Sequence, residues 1–519
     1  MLTRSAQYAF AVASGVLLAL SFPKFGHPVF GWIALAPLLV ALSNPDSRIP
    51  NPASASTLHA FLIGLTTGIV YFTGTLYWIT RVMALYGDLH WWVAALVNAA
   101  LIAYLSLFPA FFAIVMRRIV RAYGPAAIMA APFVWVASEL GRTQLLTGFP
   151  WVLLGYSQVS MLPIAQLASV VGVYGVSALV ASVSAAAAMV ATNAGWRAAG
   201  VVGSLLLAVT VWGSVRVSRS ELTRMGDPVR VGLLQGNIDQ SEKTDLARAR
   251  AIFSAYLAMT RQAIGAGAEL VIWPESSTPF MFEEDPEGAN RIRAIAREAR
   301  VPILVGSDQI EWRLENGRRI PGRYFNSAFL VRADGTTAGV YRKMHLVPFG
   351  EYVPLKRLLF FAAPLVEAVG PFSAGADAAL LPVGAHPVSV AICYEVVYPN
   401  LVRQFVRGGS ELLTTITNDA WFGRTSAPYQ HFEQASMRAI EEGRYLVRAA
   451  NTGISGIVDP YGRVLARSDL YQPAMIVGDA RFLRAPTFYA RHGDVLAWAS
   501  LVMTVLLVVM PIRVRRRVK

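Results

Sequence analysis

Residues 388–395 read Val-Ser-Val-Ala-Ile-Cys-Tyr-Glu, an apolar run that ends in a thiol, an aromatic ring and a carboxylate. A short β-branched run of this kind is typical of a buried strand. Cys393 is the single cysteine of the 519-residue chain, so no intramolecular disulfide can form. Because a lone cysteine is more often an inert buried residue than a nucleophile, its meaning depends on the segments around it.

Two other segments carry groups that could act with this thiol. Residues 270–276, Leu-Val-Ile-Trp-Pro-Glu-Ser, form a hydrophobic run that delivers Glu275 just before a proline-marked turn. Residues 341–354 deliver Lys343 and a second carboxylate, Glu351. A strand-end Glu or Lys is usually a solvated edge residue, so each segment alone is weak evidence. Glu, Lys and Cys together, in this chain order, are a specific pattern.

The polar part of the chain alternates short β-branched runs with helical patterns, which favours an α/β or layered α+β domain. The predicted strands are Val229–Gln235, Glu269–Trp273, Pro302–Gly306, Ser327–Val331, Val388–Cys393, Glu411–Thr417, Leu446–Ala450 and Ser455–Val458. The predicted helices cover 242–265, 288–299, 399–407 and 428–443. With linkers near 214–227 and 483–493, these elements predict a catalytic domain over residues 218–492.

The rest of the chain has the composition of a membrane protein. Hydrophobic residues make up 55% of the chain and charged residues 15%, whereas a soluble chain carries about 25% charged residues. This deficit excludes a purely soluble or disordered protein. A spanning helix needs about 20 mostly apolar residues, and uncharged stretches lie at 5–23, 25–45, 49–80, 89–116, 122–138, 164–191, 198–215 and 495–512. They predict an α-helical transmembrane bundle of about eight spans, with about seven in residues 1–217 and the last in 493–519.

Charge predicts how this bundle is oriented. The formal net charge is +14, yet residues 218–492 hold 31 Lys and Arg against 28 Asp and Glu, so the basicity belongs to the membrane flanks. This distribution excludes a nucleic-acid partner. Eleven basic residues flank one side of the predicted spans and three flank the other, which predicts cytoplasmic termini and an outer, periplasmic polar domain. No small-residue cleavage site follows the first span, so we expect it to be retained.

No metal, phosphate or serine-hydrolase motif is found. The sequence contains no His-Glu-x-x-His, no Cys-x-x-Cys, no Walker-type lysine loop and no Gly-x-Ser-x-Gly elbow. The glycines at 265 and 267 lack the third glycine of a dinucleotide turn. We therefore predict no metal and no cofactor.

In the segments that carry Glu275, Lys343 and Cys393, the chain resembles the nitrilase superfamily of carbon–nitrogen hydrolases. The catalytic residues of that superfamily are Glu, Lys and Cys in that order. The motifs that carry the resemblance are Trp273-Pro274-Glu275, Tyr341-Arg342-Lys343 and Cys393-Tyr394-Glu395, supported by Asn418-Asp419-Ala420-Trp421-Phe422-Gly423. The resemblance covers residues 228–470 and implies an αββα sandwich. The predicted bundle, together with the His345–Pro354 segment, makes nearly the whole chain similar to the apolipoprotein N-acyltransferase family.

The resemblance implies a nucleophile at Cys393, a general base at Glu275 and an oxyanion-stabilising cation at Lys343. Glu351 would be a second essential carboxylate, and Tyr394 and Glu395 would support the site or position substrate. The implied reaction has two steps. A phospholipid, typically phosphatidylethanolamine, donates an acyl chain to the thiol, and the α-amino group of a diacylglyceryl-cysteine apolipoprotein then takes it as an amide. The implied location is the bacterial inner membrane.

Six further residues are candidates for lipid or acceptor contacts, and each has a plainer interpretation. Arg142 and Trp151 belong to an outer-loop segment that mixes charge with aromatic rings, which also fits an interfacial loop with an ion pair. Phe360 and Phe361 lie in an apolar insertion that is either an interfacial arm or a core loop. Trp421 and Phe422 are either substrate contacts or buried aromatic anchors.

Two other functions remain open from the sequence. A membrane-tethered amidase that hydrolyses a C–N bond would use the same three residues but would leave the apolar insertion unexplained. A transporter with an extracytoplasmic domain would need ionisable residues inside the spans, and the long uncharged stretches contain none.

Overall fold

The structure, a computed structural model, describes residues 2–43, 53–86, 89–239, 246–348, 350–352 and 372–517. The chain forms two compact units. The first comprises residues 1–81, 91–219 and 492–519, and the second comprises 82–90 and 220–491. The ends of the second unit lie within two residues of the predicted limits at 218 and 492. Residues 82–90, which we assigned to the bundle, belong instead to the second unit.

Fifteen α-helices are found in the described residues, supplemented by short 3-10 turns. They are α1 Arg4–Ala19, α2 Ala36–Ser43, α3 Ala53–Leu76, α4 Trp78–Tyr86, α5 Trp91–Tyr123, α6 Ala131–Gln144, α7 Leu162–Ala165, α8 Ala168–Ala191, α9 Arg197–Arg219, α10 Leu246–Gly265, α11 Pro286–Ala299, α12 Pro399–Arg407, α13 Ala427–Glu442, α14 Phe488–His492 and α15 Val495–Arg517.

The first unit contains helices that are able to cross a bilayer. Four helical stretches in the described residues are long and apolar enough: Thr57–Leu76, Trp91–Tyr123, Ala168–Ala191 and Arg197–Arg224. Pro28–Ser43 and Val495–Met510 are apolar but shorter. The predicted span near 28–43 is divided into a 3-10 turn, Pro28–Ile33, and α2. The chain is therefore an integral membrane protein with four candidate spans in the described residues, and the number of about eight spans stays a prediction.

The second unit contains two six-stranded sheets. Its strands are β1 Asp227–Gln235, β2 Leu270–Ile272, β3 Ile303–Glu315, β4 Arg318–Val331, β5 Thr337–Arg342, β6 Leu381–Val383, β7 His386–Ile392, β8 Leu412–Thr417, β9 Leu446–Ala450, β10 Gly456–Val458, β11 Val464–Arg467 and β12 Ala474–Phe482. One sheet has the order β12-β1-β2-β3-β4-β5 and the other β11-β10-β9-β8-β7-β6. With helices between the strands, the nitrilase-like class of this domain is confirmed.

The directions of the strands place the predicted catalytic residues at strand ends. β1, β2 and β3 are parallel neighbours in the first sheet, as are β7, β8 and β9 in the second. β4 is antiparallel to both β3 and β5, so β5 runs in the same direction as β3. The carboxyl ends of β2 and β5 therefore lie at the same end of their sheet.

An aromatic core anchors the β2 end. Trp273 is fully buried, and its indole N–H donates to the Thr260 hydroxyl of α10 at 3.0 Å. Its ring stacks on Tyr256 with a centroid distance of 4.9 Å. Because close packing fixes Trp273, the turn that follows it begins from a fixed point.

Candidate active site

The three predicted catalytic residues each follow a strand directly or by a short turn. Glu275 comes three residues after β2, Lys343 comes immediately after β5, and Cys393 comes immediately after β7. All three are buried, with 6%, 1% and 8% of their surface exposed. A group held at a strand end by packing has little freedom to leave its position, which suits a preorganised site.

Lys343 lies between two carboxylates. Its Nζ donates to Oε1 of Glu351 at 2.8 Å and lies 3.6 Å from Oε1 of Glu275. Asn326 of β4 donates to Oε1 of Glu275 at 2.7 Å, and the backbone N–H of Asn418 donates to its Oε2 at 2.8 Å. The backbone N–H of Val347 donates to the second oxygen of Glu351 at 2.7 Å. Both carboxylates are thus held in fixed orientations around the ammonium group.

The charge state of Lys343 follows from these neighbours. Burial alone lowers the pKa of this lysine, but the charges of Glu351 and Glu275 more than offset that effect, and the pKa is raised above its usual value. Lys343 is therefore a permanent cation at neutral pH. A fixed positive charge in a buried site is suited to stabilising a developing oxyanion.

Cys393 has an unusual backbone conformation. Its φ is +55°, in the left-handed region that non-glycine residues rarely adopt, and it begins the 3-10 turn Cys393–Val397. Burial raises the pKa of the thiol, Glu275 raises it further, and Lys343 only partly opposes them. The resting side chain is therefore a neutral thiol, which needs a base before it can act as a nucleophile.

Glu395 holds the lysine segment and the cysteine turn together. One of its oxygens accepts from the Tyr341 hydroxyl at 2.8 Å and from the backbone N–H groups of Met344 and His345 at 2.6 and 3.0 Å. The other accepts from the backbone N–H of Ile392 at 2.7 Å. Glu395 is fully buried, so its contacts are with the protein, and of the two predicted roles they fit support of the site.

A buried polar cluster behind Cys393 was missed by the sequence analysis. Asp419 lies 3.1 Å from Nδ1 of His431 and accepts from Arg448 at 2.9 Å and from the Thr417 hydroxyl at 2.9 Å. Nε2 of His431 lies 3.1 Å from the carbonyl oxygen of Cys393. Asp419, His431 and Arg448 are spread over 30 residues, and no spacing rule connects them. Of the three, only Asp419 lies in a motif found in the sequence, Asn418–Gly423.

Three aromatic candidates lie in the same unit. Tyr394 packs edge-to-face on Tyr398 at a centroid distance of 5.2 Å. Trp421 is half-buried and packs edge-to-face on Tyr86 at 5.0 Å, where the Tyr86 hydroxyl also donates to the carbonyl of Ala420 at 3.1 Å. Phe422 lies 6.0 Å from the ring of His431. These contacts fit aromatic anchors, and they join the 82–90 segment to the second unit.

Arg142 and Trp151 are buried inside the first unit, with 3% and 1% of their surface exposed. Arg142 donates to the carbonyl of Trp151 at 2.7 Å, and Trp151 packs on Trp78. These contacts fit a structural role inside the first unit, and contact with lipid or acceptor stays a prediction. Phe360 and Phe361 lie outside the described residues, and the interfacial arm stays a prediction.

In the parts of the chain that the structure describes, no group of three or more His, Cys, Asp or Glu is arranged to hold a metal ion. The groups that the site brings together are a thiol, carboxylates and a buried ammonium group. Such a set can transfer an acyl group through a covalent intermediate.

Comparison with known proteins agrees with this chemistry. The apolipoprotein N-acyltransferase N-terminal domain matches residues 14–186, and the carbon–nitrogen hydrolase domain matches residues 230–482. The apolipoprotein N-acyltransferase of Geobacter metallireducens is 42% identical over 500 residues, which cover 95% of this chain and 92% of that protein. This chain belongs to the apolipoprotein N-acyltransferase family. It is therefore an acyltransferase enzyme.

Other members of the family are more distant. The apolipoprotein N-acyltransferases of Allorhizobium ampelinum and Rhodopseudomonas palustris are 33% and 32% identical, covering 94% and 96% of this chain and 92% and 94% of those proteins. Among solved structures, an amidase from Nesterenkonia sp. is 21% identical, with a TM-score of 0.39, and covers 54% of this chain and 98% of that one.

Proposed function

We propose that this apolipoprotein N-acyltransferase works through a thioester on Cys393, with Glu275 as base and Lys343 as oxyanion-stabilising cation. The donor is a phospholipid, for which we propose phosphatidylethanolamine. The acceptor is the α-amino group of an N-terminal diacylglyceryl-cysteine. The transfer of a fatty acyl group to a lipoprotein follows from membership of the family.

In the first half-reaction, Glu275 takes the thiol proton while the sulfur attacks the ester carbonyl carbon. The carbonyl oxygen becomes an oxyanion, which the Lys343 ammonium and the backbone N–H of Tyr394 stabilise. The bond from the carbonyl carbon to the glycerol oxygen then breaks, and Glu275 returns its proton to that oxygen. The products are a Cys393 thioester and a lysophospholipid.

In the second half-reaction, the neutral amine attacks the thioester carbon and the same groups stabilise the second oxyanion. The C–S bond breaks, the sulfur leaves, and the amine loses one proton by way of Glu275 to the thiolate. An amide and the free thiol result, so the enzyme is regenerated without a cofactor. Glu351 keeps the ammonium in position through its 2.8 Å hydrogen bond.

The observation that carries this proposal is the arrangement of the buried charges. Two carboxylates hold one lysine, at 2.8 and 3.6 Å, beside a thiol whose pKa is raised by burial. A neutral thiol next to a carboxylate and a fixed cation is the arrangement that a base-activated nucleophile requires. A simple buried cysteine would not need a charged neighbourhood, which is costly to bury.

We further propose that the first unit crosses the bacterial inner membrane about eight times, with the catalytic domain, residues 218–492, in the periplasm. The excess of basic residues on one side of the spans supports cytoplasmic termini. The four long apolar helices supply half of these crossings, and the shorter apolar helices at 28–43 and 495–510 supply others. Short spans can be accommodated by local thinning of the bilayer.

Intact-mass spectrometry of the purified protein, incubated with phosphatidylethanolamine and no acceptor, tests the proposal. We expect a mass increase of one acyl chain that hydroxylamine removes, because hydroxylamine cleaves thioesters. Cys393→Ala should show no adduct. Cys393→Ser should show no turnover, since a hydroxyl is a poorer nucleophile and Glu275 a weak base for it.

Two results would contradict the proposal. Folded protein that forms no adduct with any phospholipid would favour the amidase alternative, and small amides would then be screened as substrates. Full turnover in Cys393→Ser would remove the thiol from the mechanism.

A further inference from the structure

The carbonyl oxygen of Cys393 has a buried side-chain hydrogen-bond partner. His431, on α13, is fully buried, and its Nε2 lies 3.1 Å from that oxygen. Nε2 faces an acceptor, so it carries the hydrogen and donates to the carbonyl. The nucleophile is thus hydrogen-bonded through its main chain to a side chain 38 residues away.

The other edge of the imidazole ring is fixed by a charged pair. Nδ1 of His431 lies 3.0 Å from a guanidinium nitrogen of Arg448 and 3.1 Å from Asp419. The same guanidinium nitrogen donates to Asp419 at 2.9 Å. All three side chains are fully buried. With the hydrogen on Nε2, Nδ1 is free to accept from Arg448, and the ring has one preferred orientation.

The hydrogen bond to the carbonyl also determines the direction of an N–H group. The peptide that joins Cys393 to Tyr394 is planar, and in a trans peptide the N–H points opposite to the C=O. Fixing the oxygen of Cys393 therefore fixes the N–H of Tyr394. Cys393 has a φ of +55°, which costs conformational energy and persists only when surrounding contacts enforce it.

We propose that His431 is a positioning residue that aims the Tyr394 backbone N–H at the oxyanion, through its hydrogen bond to the Cys393 carbonyl. This inference rests on the proposed function, since it assigns a role within the acyl-transfer site. His431 does not touch substrate. Asp419 and Arg448 act one step further out, by orienting the ring.

Gly453 adds a second way to disturb the same cluster. A Cβ at this position would overlap the Asp419 carboxylate. The absence of a side chain at 453 therefore lets Asp419 lie against the ring of His431. Gly453→Ala should displace Asp419 and loosen the ring, while leaving His431, Cys393 and Glu275 unchanged in sequence.

The test uses a matched pair of variants in the full-length protein. His431→Gln carries an amide N–H that reaches the Nε2 position, whereas His431→Asn reaches only the Nδ1 position and loses the donor to Cys393. Two rates are measured for each. One is acyl-enzyme formation with phosphatidylethanolamine in mixed micelles. The other is alkylation of Cys393, the single thiol, by iodoacetamide.

Only the first of these reactions passes through an oxyanion. We expect His431→Asn to slow acylation about tenfold to a hundredfold, since loss of a whole oxyanion donor costs about a hundredfold to a thousandfold. Alkylation should change by less than about threefold, and His431→Gln should restore most of the acylation rate. Gly453→Ala should fall between wild type and His431→Asn, and it replaces that variant if the latter does not fold.

Each other outcome overturns the inference. Unchanged acylation in His431→Asn would remove the positioning role. Parallel loss of acylation and alkylation in both His431 variants would make the cluster a purely structural support. Absence of acylation in the wild-type protein would instead contradict the proposed function, so the two failures are distinguishable.

Discussion

Glu395 is a buried carboxylate on which two opposing effects act. Burial raises its pKa to about 7, although the N–H groups of Ile392 and His345 favour the charged form. The group is therefore protonated in the folded protein at pH values where it is ionised in the unfolded chain. Since the folded pKa is the higher one, its contribution to stability is complete below the unfolded pKa and is lost as the pH rises through about 7.

Glu395→Gln removes this titration and mimics the neutral carboxyl. We expect the thermal midpoint of the wild-type protein to fall by a few degrees, relative to this variant, as the pH rises from about 5 to about 7.5. The measurement is thermal unfolding of both proteins in detergent across that range. A constant difference between the two midpoints would show that Glu395 does not titrate there.

The residues that carry chemistry differ in how well the sequence predicts them. Glu275 and Cys393 follow or end apolar runs that were predicted as strands. Lys343 follows β5, which no predicted run covers, and only the order Glu, Lys, Cys marks this residue. Asp419, His431 and Arg448 meet only because the 3-10 turn after β8, helix α13 and strand β9 pack together. Burial of a charged cluster cannot be inferred from composition, because Arg and Asp are mostly exposed in proteins.

At the scale of elements, β3 must approach the turn that carries Glu275. A Cβ on Gly306 of β3 would overlap the carbonyl oxygen of Pro274, and the carbonyl of Gly306 accepts from the backbone N–H of Ser277 at 2.9 Å. Glycine at 306 therefore lets the turn lie against the strand. The position of Glu275, the proposed general base, depends on this contact.

Gly306→Ala should push the turn away from β3. We expect acyl-enzyme formation to slow at least tenfold, because displacement of a catalytic group by about 1 Å can cost a hundredfold. Gly265→Ala is the matched control, since a Cβ there meets nothing within 4 Å. Equal rates in the two variants, measured by intact mass over time, would show that the contact does not position Glu275.

Strand prediction succeeded where strands are buried and failed where they are partly exposed. β1, β7, β8 and β9 coincide with predicted runs to within two residues. β11 and β12 have exposed or half-buried residues along most of their length, so their hydrophobic signal is weak. β12 forms because nine of its residues pair in register with β1, which is a contact between distant parts of the chain.

At the scale of the whole molecule, the distribution of charge predicts which face of the membrane carries the catalytic domain. The hydrophobic parts of the chain carry most of the excess positive charge. Basic residues are retained on the cytoplasmic side of short loops, so this asymmetry opposes translocation of the loop that contains Arg197. Residues 218–492 are long and nearly balanced in charge, and a long domain translocates largely regardless of its charge.

Single cysteines in a Cys393→Ala background test this orientation, because no other thiol is present. Asp479, with 80% of its side chain exposed, reports on the catalytic domain, and Trp196, 76% exposed, reports on the loop before α9. We expect a membrane-impermeant maleimide to label Asp479→Cys in right-side-out inner-membrane vesicles and Trp196→Cys only in inside-out vesicles. Labelling of both on the same side would contradict a membrane crossing by α9, and the reverse pattern would put the domain in the cytoplasm. A periplasmic thiol is reached by lipids of the outer leaflet and by lipoproteins already exported, so the expected pattern is also the one that acyl transfer to an exported acceptor requires.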